Sequence, residues 1–141
     1  MPECERKTRH DYEHRSHCKG VLKVHLIFVT RFRKPCLTGD LARNCKEILT
    51  DIAEHHGWII QKIETDKDHV HMLLQYPPTD CISGIVQCMK QQSTFKMGQL
   101  YETELRHLYW YQNTLWSKGY FYCSIGDVST KIIEQYIENQ G

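Results

Sequence analysis

From Val21 to Val29 the chain is rich in branched and aromatic residues, a composition that predicts a long central strand. Pro35 and Gly39 end that run. From Asp40 the apolar positions Leu41, Cys45, Ile48, Leu49, Ile52 and Ala53 recur at helical spacing up to Gly57, which predicts an amphipathic helix with Asp40 as its N-cap. Trp58–Glu64 reads as a second strand, Thr65-Asp66-Lys67 as a turn, and the run from Asp68 to about Gln75 as a third strand forming a hairpin with the second. Pro77-Pro78 stops it. Thr79 or Asp80 can then cap a helix whose buried stripe is Ile82, Ile85, Val86, Met89 and Phe95, fading near Gly98. Leu100–Gln112 is ambiguous between helix and folded loop. Gly119–Ile125 predicts a last strand, and Ser129 or Thr130 to Gln140 a terminal helix with Ser129 as its cap.

The resulting order, βαββαβ plus one surplus helix, points to an α+β fold: a ferredoxin-like (RRM-like) split sandwich with an antiparallel sheet and two helices on one face. A length of 141 residues with 40% hydrophobic content suits one domain with a real core. Residues 1–17 are polar and mixed in charge and are expected to form an arm, leaving 18–141 as the folded unit. With 18 Lys and Arg against 17 Asp and Glu, a nucleic-acid footprint would have to be local. Arg31, Arg33 and Lys34 after the first strand are the best candidates for it, with Lys90 and Lys96 on a later helix as a second possibility. Seven cysteines form no C-x-x-C pair, so most are expected to be small core residues in a reducing cytoplasm. No run approaches the roughly 18 apolar residues of a membrane span, and the N-terminus lacks a secretory signal.

Candidate chemistry sits at two places. His69 and His71 lie at i and i+2 on a strand, so both imidazoles share one face while Val70, Met72 and Leu74 anchor the other. Tyr136 and Gln140 lie at i and i+4 on the terminal helix and also share a face. Two imidazoles, an amide oxygen and a phenol are suitable parts for metal-assisted attack on a phosphodiester. Each half has a plainer explanation. A histidine pair at this spacing arises readily in a chain with nine histidines, and Tyr136 falls in the stripe Ile132, Ile133, Tyr136, Ile137, where a core tyrosine is ordinary. His25 reads as a satisfied core histidine or as a partner behind the metal ligands.

Taken together, these segments resemble the single-tyrosine HUH transposases of the smallest bacterial and archaeal insertion sequences, the TnpA type of the IS200-like family. Val24–Lys34 is similar to that family's first strand and basic turn, Asp66–Leu73 to its metal-binding strand, and Gln135–Gln140 to its catalytic helix. Leu115-Trp116, Gly119-Tyr120-Phe121 and Ser124-Ile125-Gly126 resemble the approach to that helix. Val24 and Phe32 depart from the pattern, standing where tyrosines are expected.

The resemblance implies that His69, His71 and Gln140 hold Mg²⁺ or Mn²⁺ and that Tyr136 is the nucleophile. It implies cleavage and rejoining of single-stranded DNA with hairpins at insertion-sequence ends, through a 5′-phosphotyrosine. It also implies a homodimer whose active sites are shared between subunits. The competing reading is a regulatory nucleic-acid-binding module on the same fold without strand transfer.

Overall fold

The structure, a computed structural model, describes residues 20–109, 114–124 and 130–139. The expected arm of residues 1–17, Gln140 and the Ser129 cap lie outside these. Four strands, β1 (Leu22–Val29), β2 (Ile59–Asp66), β3 (His69–Tyr76) and β4 (Phe121–Ser124), form one sheet in the order β2-β3-β1-β4. Every pairing is antiparallel. Among the described residues, four α-helices accompany them: α1 (Gly39–His55), α2 (Ile82–Leu100), α3 (Glu102–Tyr109) and α4 (Thr130–Asn139), with a short 3-10 turn at Arg31–Arg33. This is the expected sandwich, and within the ambiguous stretch Glu102–Tyr109 is helical.

Strand alternation divides the sheet into two different faces. Val24, Leu26 and Phe28 of β1 and Val70, Met72 and Leu74 of β3 point to one side, where Cys45, Ile48, Leu49 and Ile52 of α1 and Ile85, Val86, Met89 and Met97 of α2 cover them. That is the main core. Ile27 and Val29 of β1 point to the other side and are buried by Ile137, with Phe121 and Tyr136 packed against them. The surplus helix α4 therefore lies on the face opposite α1 and α2. Trp116 closes the main core, edge-on to Phe28 at 5.6 Å, with its indole N–H donating to Ser93 Oγ at 2.9 Å.

Local details differ from the sequence-based expectations for identifiable reasons. Phe95 is 66% exposed, because the buried side of α2 runs through Met89, Ser93 and Met97 and a residue two positions off that row faces water. Thr38, without a side-chain cap bond, occupies the N-cap of α1, while Asp40 sits in the first turn and pairs with Arg43 at 2.8 Å. Asp80 does not cap α2; it accepts the Trp58 indole N–H at 2.8 Å and ties the β3–α2 loop to the start of β2. β2 runs on to Asp66, so the hairpin turn falls at Lys67-Asp68. Of the described cysteines only Cys36 and Cys45 are buried, and burial pushes the Cys45 thiol up to about 12.

Candidate active site

The pairing register sets the histidines in a row. Val29 lies opposite His69, Ile27 opposite His71 and His25 opposite Leu73, while Asp66 and Glu64 of β2 flank His69 and His71 on the other side. Paired residues share a face, so the histidine row sits on the α4 side of the sheet, beside the apolar strip on which that helix packs. Burial lowers the His71 pKa, and the neighbouring His25 adds to the effect, so a neutral imidazole is favoured.

Tyr136 comes to the same face. Its ring packs on Phe121 at 5.5 Å between centroids, beside Ile27 and Val29, the strand partners of the two histidines. Its hydroxyl oxygen is buried and has no hydrogen-bond partner among the described residues, so it is not bonded to either imidazole here. Burial pushes this phenol up from 10.0 to about 12. The third expected ligand, Gln140, lies outside the described residues, and among the described residues no group of three His, Cys, Asp or Glu side chains could hold a metal ion by itself. The donor chemistry of the histidine row nonetheless fits a divalent cation. Asp68 Oδ1 lies 2.9 Å from His69 Nδ1, and with the proton on that nitrogen Nε2 carries a free lone pair.

The basic turn has a structural task as well as a charge. Thr30 is fully buried: its N–H donates to Asp68 O at 2.8 Å, and its hydroxyl lies 2.8 Å from Lys34 O and 3.1 Å from Asp68 O. Leu37 N–H donates to Lys67 O at 2.9 Å, so the segment from Thr30 to Leu37 clasps the hairpin turn that precedes His69. Phe32 and Arg33 take left-handed backbone angles, φ 58° and 51°, which strain residues other than glycine. Arg31 stacks its guanidinium over the Phe32 ring at 5.0 Å, and Arg33 Nε reaches Asp68 Oδ2 at 3.4 Å. Lys34 is half-buried beside them.

Lys90 sits elsewhere and points inward. Its ammonium donates to the carbonyls of Ser117 and Gly119, each at 2.7 Å, and of Lys118 at 3.4 Å, over the rings of Phe28 and Tyr120. Burial lowers its pKa from 10.5 to about 8. These bonds make Lys90 an internal staple that holds the segment leading into β4. Asp68 and Thr30 are site residues that pattern reading passed over. The one available signal was a carboxylate immediately before the H-x-H pair.

Among known proteins, a family model described as "Transposase IS200 like" matches residues 18–140. The ISDra2 transposase TnpA of Deinococcus radiodurans is 34% identical over 119 residues, covering 84% of each chain. The transposase for insertion sequence element IS200 of Salmonella typhimurium is 29% identical over 126 residues, covering 89% of this chain and 80% of its own. A crystallised Deinococcus radiodurans R1 protein described as a transposase superposes with a TM-score of 0.81 at 32% identity, over 89% of this chain and 95% of that one. A REP-associated tyrosine transposase bound to a REP hairpin, at 14% identity and a TM-score of 0.56 over 91% of this chain and 69% of that one, shares the fold. Among the described residues, no helix is long and apolar enough to cross a membrane. With a match that takes in both the histidine strand and the tyrosine helix, the chain belongs to the IS200-like transposase family.

Proposed function

We propose that this protein cuts and rejoins single-stranded DNA at the ends of an insertion sequence, with Tyr136 as nucleophile and His69, His71 and Gln140 as ligands of Mg²⁺ or Mn²⁺. The observation that carries this reading is the shared face: the histidine row of β3 and the Tyr136 helix lie on the same side of the sheet, opposite α1 and α2. In cleavage the phenol oxygen bonds to phosphorus and gives up its proton. The bond from phosphorus to the 3′ oxygen breaks, and that oxygen takes up a proton to leave a 3′-OH. Exchange of one phosphoester for another keeps the bond's energy, so the reverse attack reseals a strand without ATP. A divalent ion, when bound, supplies positive charge that polarises the scissile phosphate and offsets charge built up in the transition state.

The chain's own residues account for placement. β3 presents both imidazoles to one side, and Arg31 and Lys34, at the turn beside His69, offer charge to the DNA backbone. Tyr136 must leave its present position, since its hydroxyl is buried with no bond to either imidazole and its raised pKa disfavours the phenolate. Release of α4 from Ile27 and Val29, toward this subunit's histidines or those of a second copy in a homodimer, frees the hydroxyl. Incubation with single-stranded hairpin oligonucleotides and Mn²⁺, followed by denaturing electrophoresis, tests the reading. A protein–DNA adduct that disappears in Tyr136→Phe and in His69→Ala is expected. Free cleaved ends without an adduct would identify a hydrolase, and binding without cleavage a regulatory module.

A further inference from the structure

Each imidazole of the proposed cation site is tied at one ring nitrogen by another side chain. Asp68 is 5% exposed and lies with Oδ1 2.9 Å from His69 Nδ1. It is fixed in turn by Arg33 Nε at 3.4 Å on Oδ2 and, through its main-chain carbonyl, by Thr30. His25 Nδ1 lies 2.9 Å from His71 Nε2, the two rings 5.1 Å apart and tilted by 49°. The strand register puts these ties at opposite ends of the row: Asp68 precedes His69, and His25 stands opposite Leu73, beyond His71. The two proposed ligands are bracketed.

A neutral imidazole has one N–H and one lone pair, and a metal ion takes the lone pair, so whatever occupies the other nitrogen selects the usable tautomer. An ionised carboxylate only accepts hydrogen bonds, which places the His69 proton on Nδ1 and leaves Nε2 free. Asp68 is set as such an acceptor, with Oδ1 toward His69 Nδ1 and Oδ2 toward the Arg33 guanidinium. For His71 only one polarity keeps a free lone pair. It must donate Nε2–H to His25 Nδ1, leaving its own Nδ1 open.

We infer that Asp68 and His25 are positioning residues of the cation site, fixing opposite tautomers on the two ligands so that His69 offers Nε2 and His71 offers Nδ1. Arg33 serves this arrangement by anchoring Asp68. This rests on the reading of His69 and His71 as metal ligands, and its test separates the two. Neither residue touches the reacting phosphate, so the readout is cation affinity rather than turnover.

The experiment titrates the full chain with Mn²⁺, free ion being followed by electron paramagnetic resonance, and records a thermal melt of each variant. Wild type should bind, and His69→Ala should lose the site. Asp68→Ala and His25→Ala should each weaken affinity by about 10- to 100-fold, the usual effect of removing a partner behind a metal ligand. His25→Asn, whose amide oxygen can accept the same N–H, should recover most of the loss. Nitrogen-15 spectra of the metal-free wild type, which require no folded variant, should show His69 protonated at Nδ1 and His71 at Nε2. If wild type binds Mn²⁺ through His69 while Asp68→Ala and His25→Ala keep full affinity, the inference is overturned and the ligand reading stands. The reverse tautomer on His71 also overturns it. No His69-dependent binding in wild type removes the ligand reading, and this inference with it.

Discussion

Replacing Tyr136 with phenylalanine should destroy the proposed chemistry and make the protein more stable. The substitution keeps the ring that packs on Phe121, Ile27 and Val29 and deletes one buried oxygen that has no hydrogen-bond partner among the described residues. An orphaned buried polar atom costs about 1–3 kcal/mol. The residue as a whole is only half-buried, so the low end applies: a gain of about 1 kcal/mol, or about 3–5 °C in Tm for a domain of this size. The pH dependence follows from the phenol, pushed from 10.0 to about 12 by burial. With its pKa higher in the folded than in the unfolded chain, its contribution is fully present below pH 10 and is lost as pH rises toward 12. Two pK units correspond to about 2.7 kcal/mol, and solvent reaching a half-exposed side chain reduces this to about 1 kcal/mol. Urea unfolding followed by circular dichroism at pH 7 and near pH 10.5 measures both terms. The variant should be the more stable at neutral pH and should lose less on alkalinisation. A variant destabilised by 1 kcal/mol or more at pH 7 would mean that the hydroxyl is hydrogen-bonded in solution, refuting the picture of a nucleophile held at a cost to the fold.

Three further outcomes are expected. Lys90→Met removes an ammonium bonded to three carbonyls and should lower stability by about 2–3 kcal/mol in urea unfolding. The same variant should leave the salt dependence of single-strand binding unchanged, whereas loss of a phosphate contact would reduce that slope by about 0.7. Arg31→Ala and Lys34→Ala should each reduce the slope by about that amount, measured by fluorescence anisotropy over a salt series. Thr30→Val removes a buried hydroxyl within reach of Lys34 O and Asp68 O and should be destabilising by about 1–2 kcal/mol, read from the unfolding midpoint.

The sheet was legible in the sequence because its information is local. The branched and aromatic run Val21–Val29 announces a strand, alternation along His69–Met72 announces which residues face which side, and the turn residues around Lys67 announce the hairpin. The position of α4 was not legible. Its stripe of Tyr136 and Ile137 shows that one face is buried but not which face of the sheet receives it, and Ile27 and Val29, the residues that do, belong to a strand apolar on both sides. The structural role of Lys90 was not legible either: a lone lysine on a helix gives no sign that three carbonyls from residues 117–119 converge on it. The tie from Arg33 to Asp68 was not legible, because it depends on a left-handed conformation that no glycine or asparagine advertises. Asp68 was hidden by a one-residue error at the start of β3, which made a buried hydrogen-bonding carboxylate look like the first residue of a strand.

Mass spectrometry of the digested adduct is the most direct measurement of all. After reaction of the wild-type chain with a single-stranded hairpin substrate and Mn²⁺, the peptide containing Tyr136 should carry a nucleotide through its 5′ phosphate, and the released strand should end in a 3′-OH. A nucleotide found on another residue, or attached through a 3′ phosphate, would contradict the account.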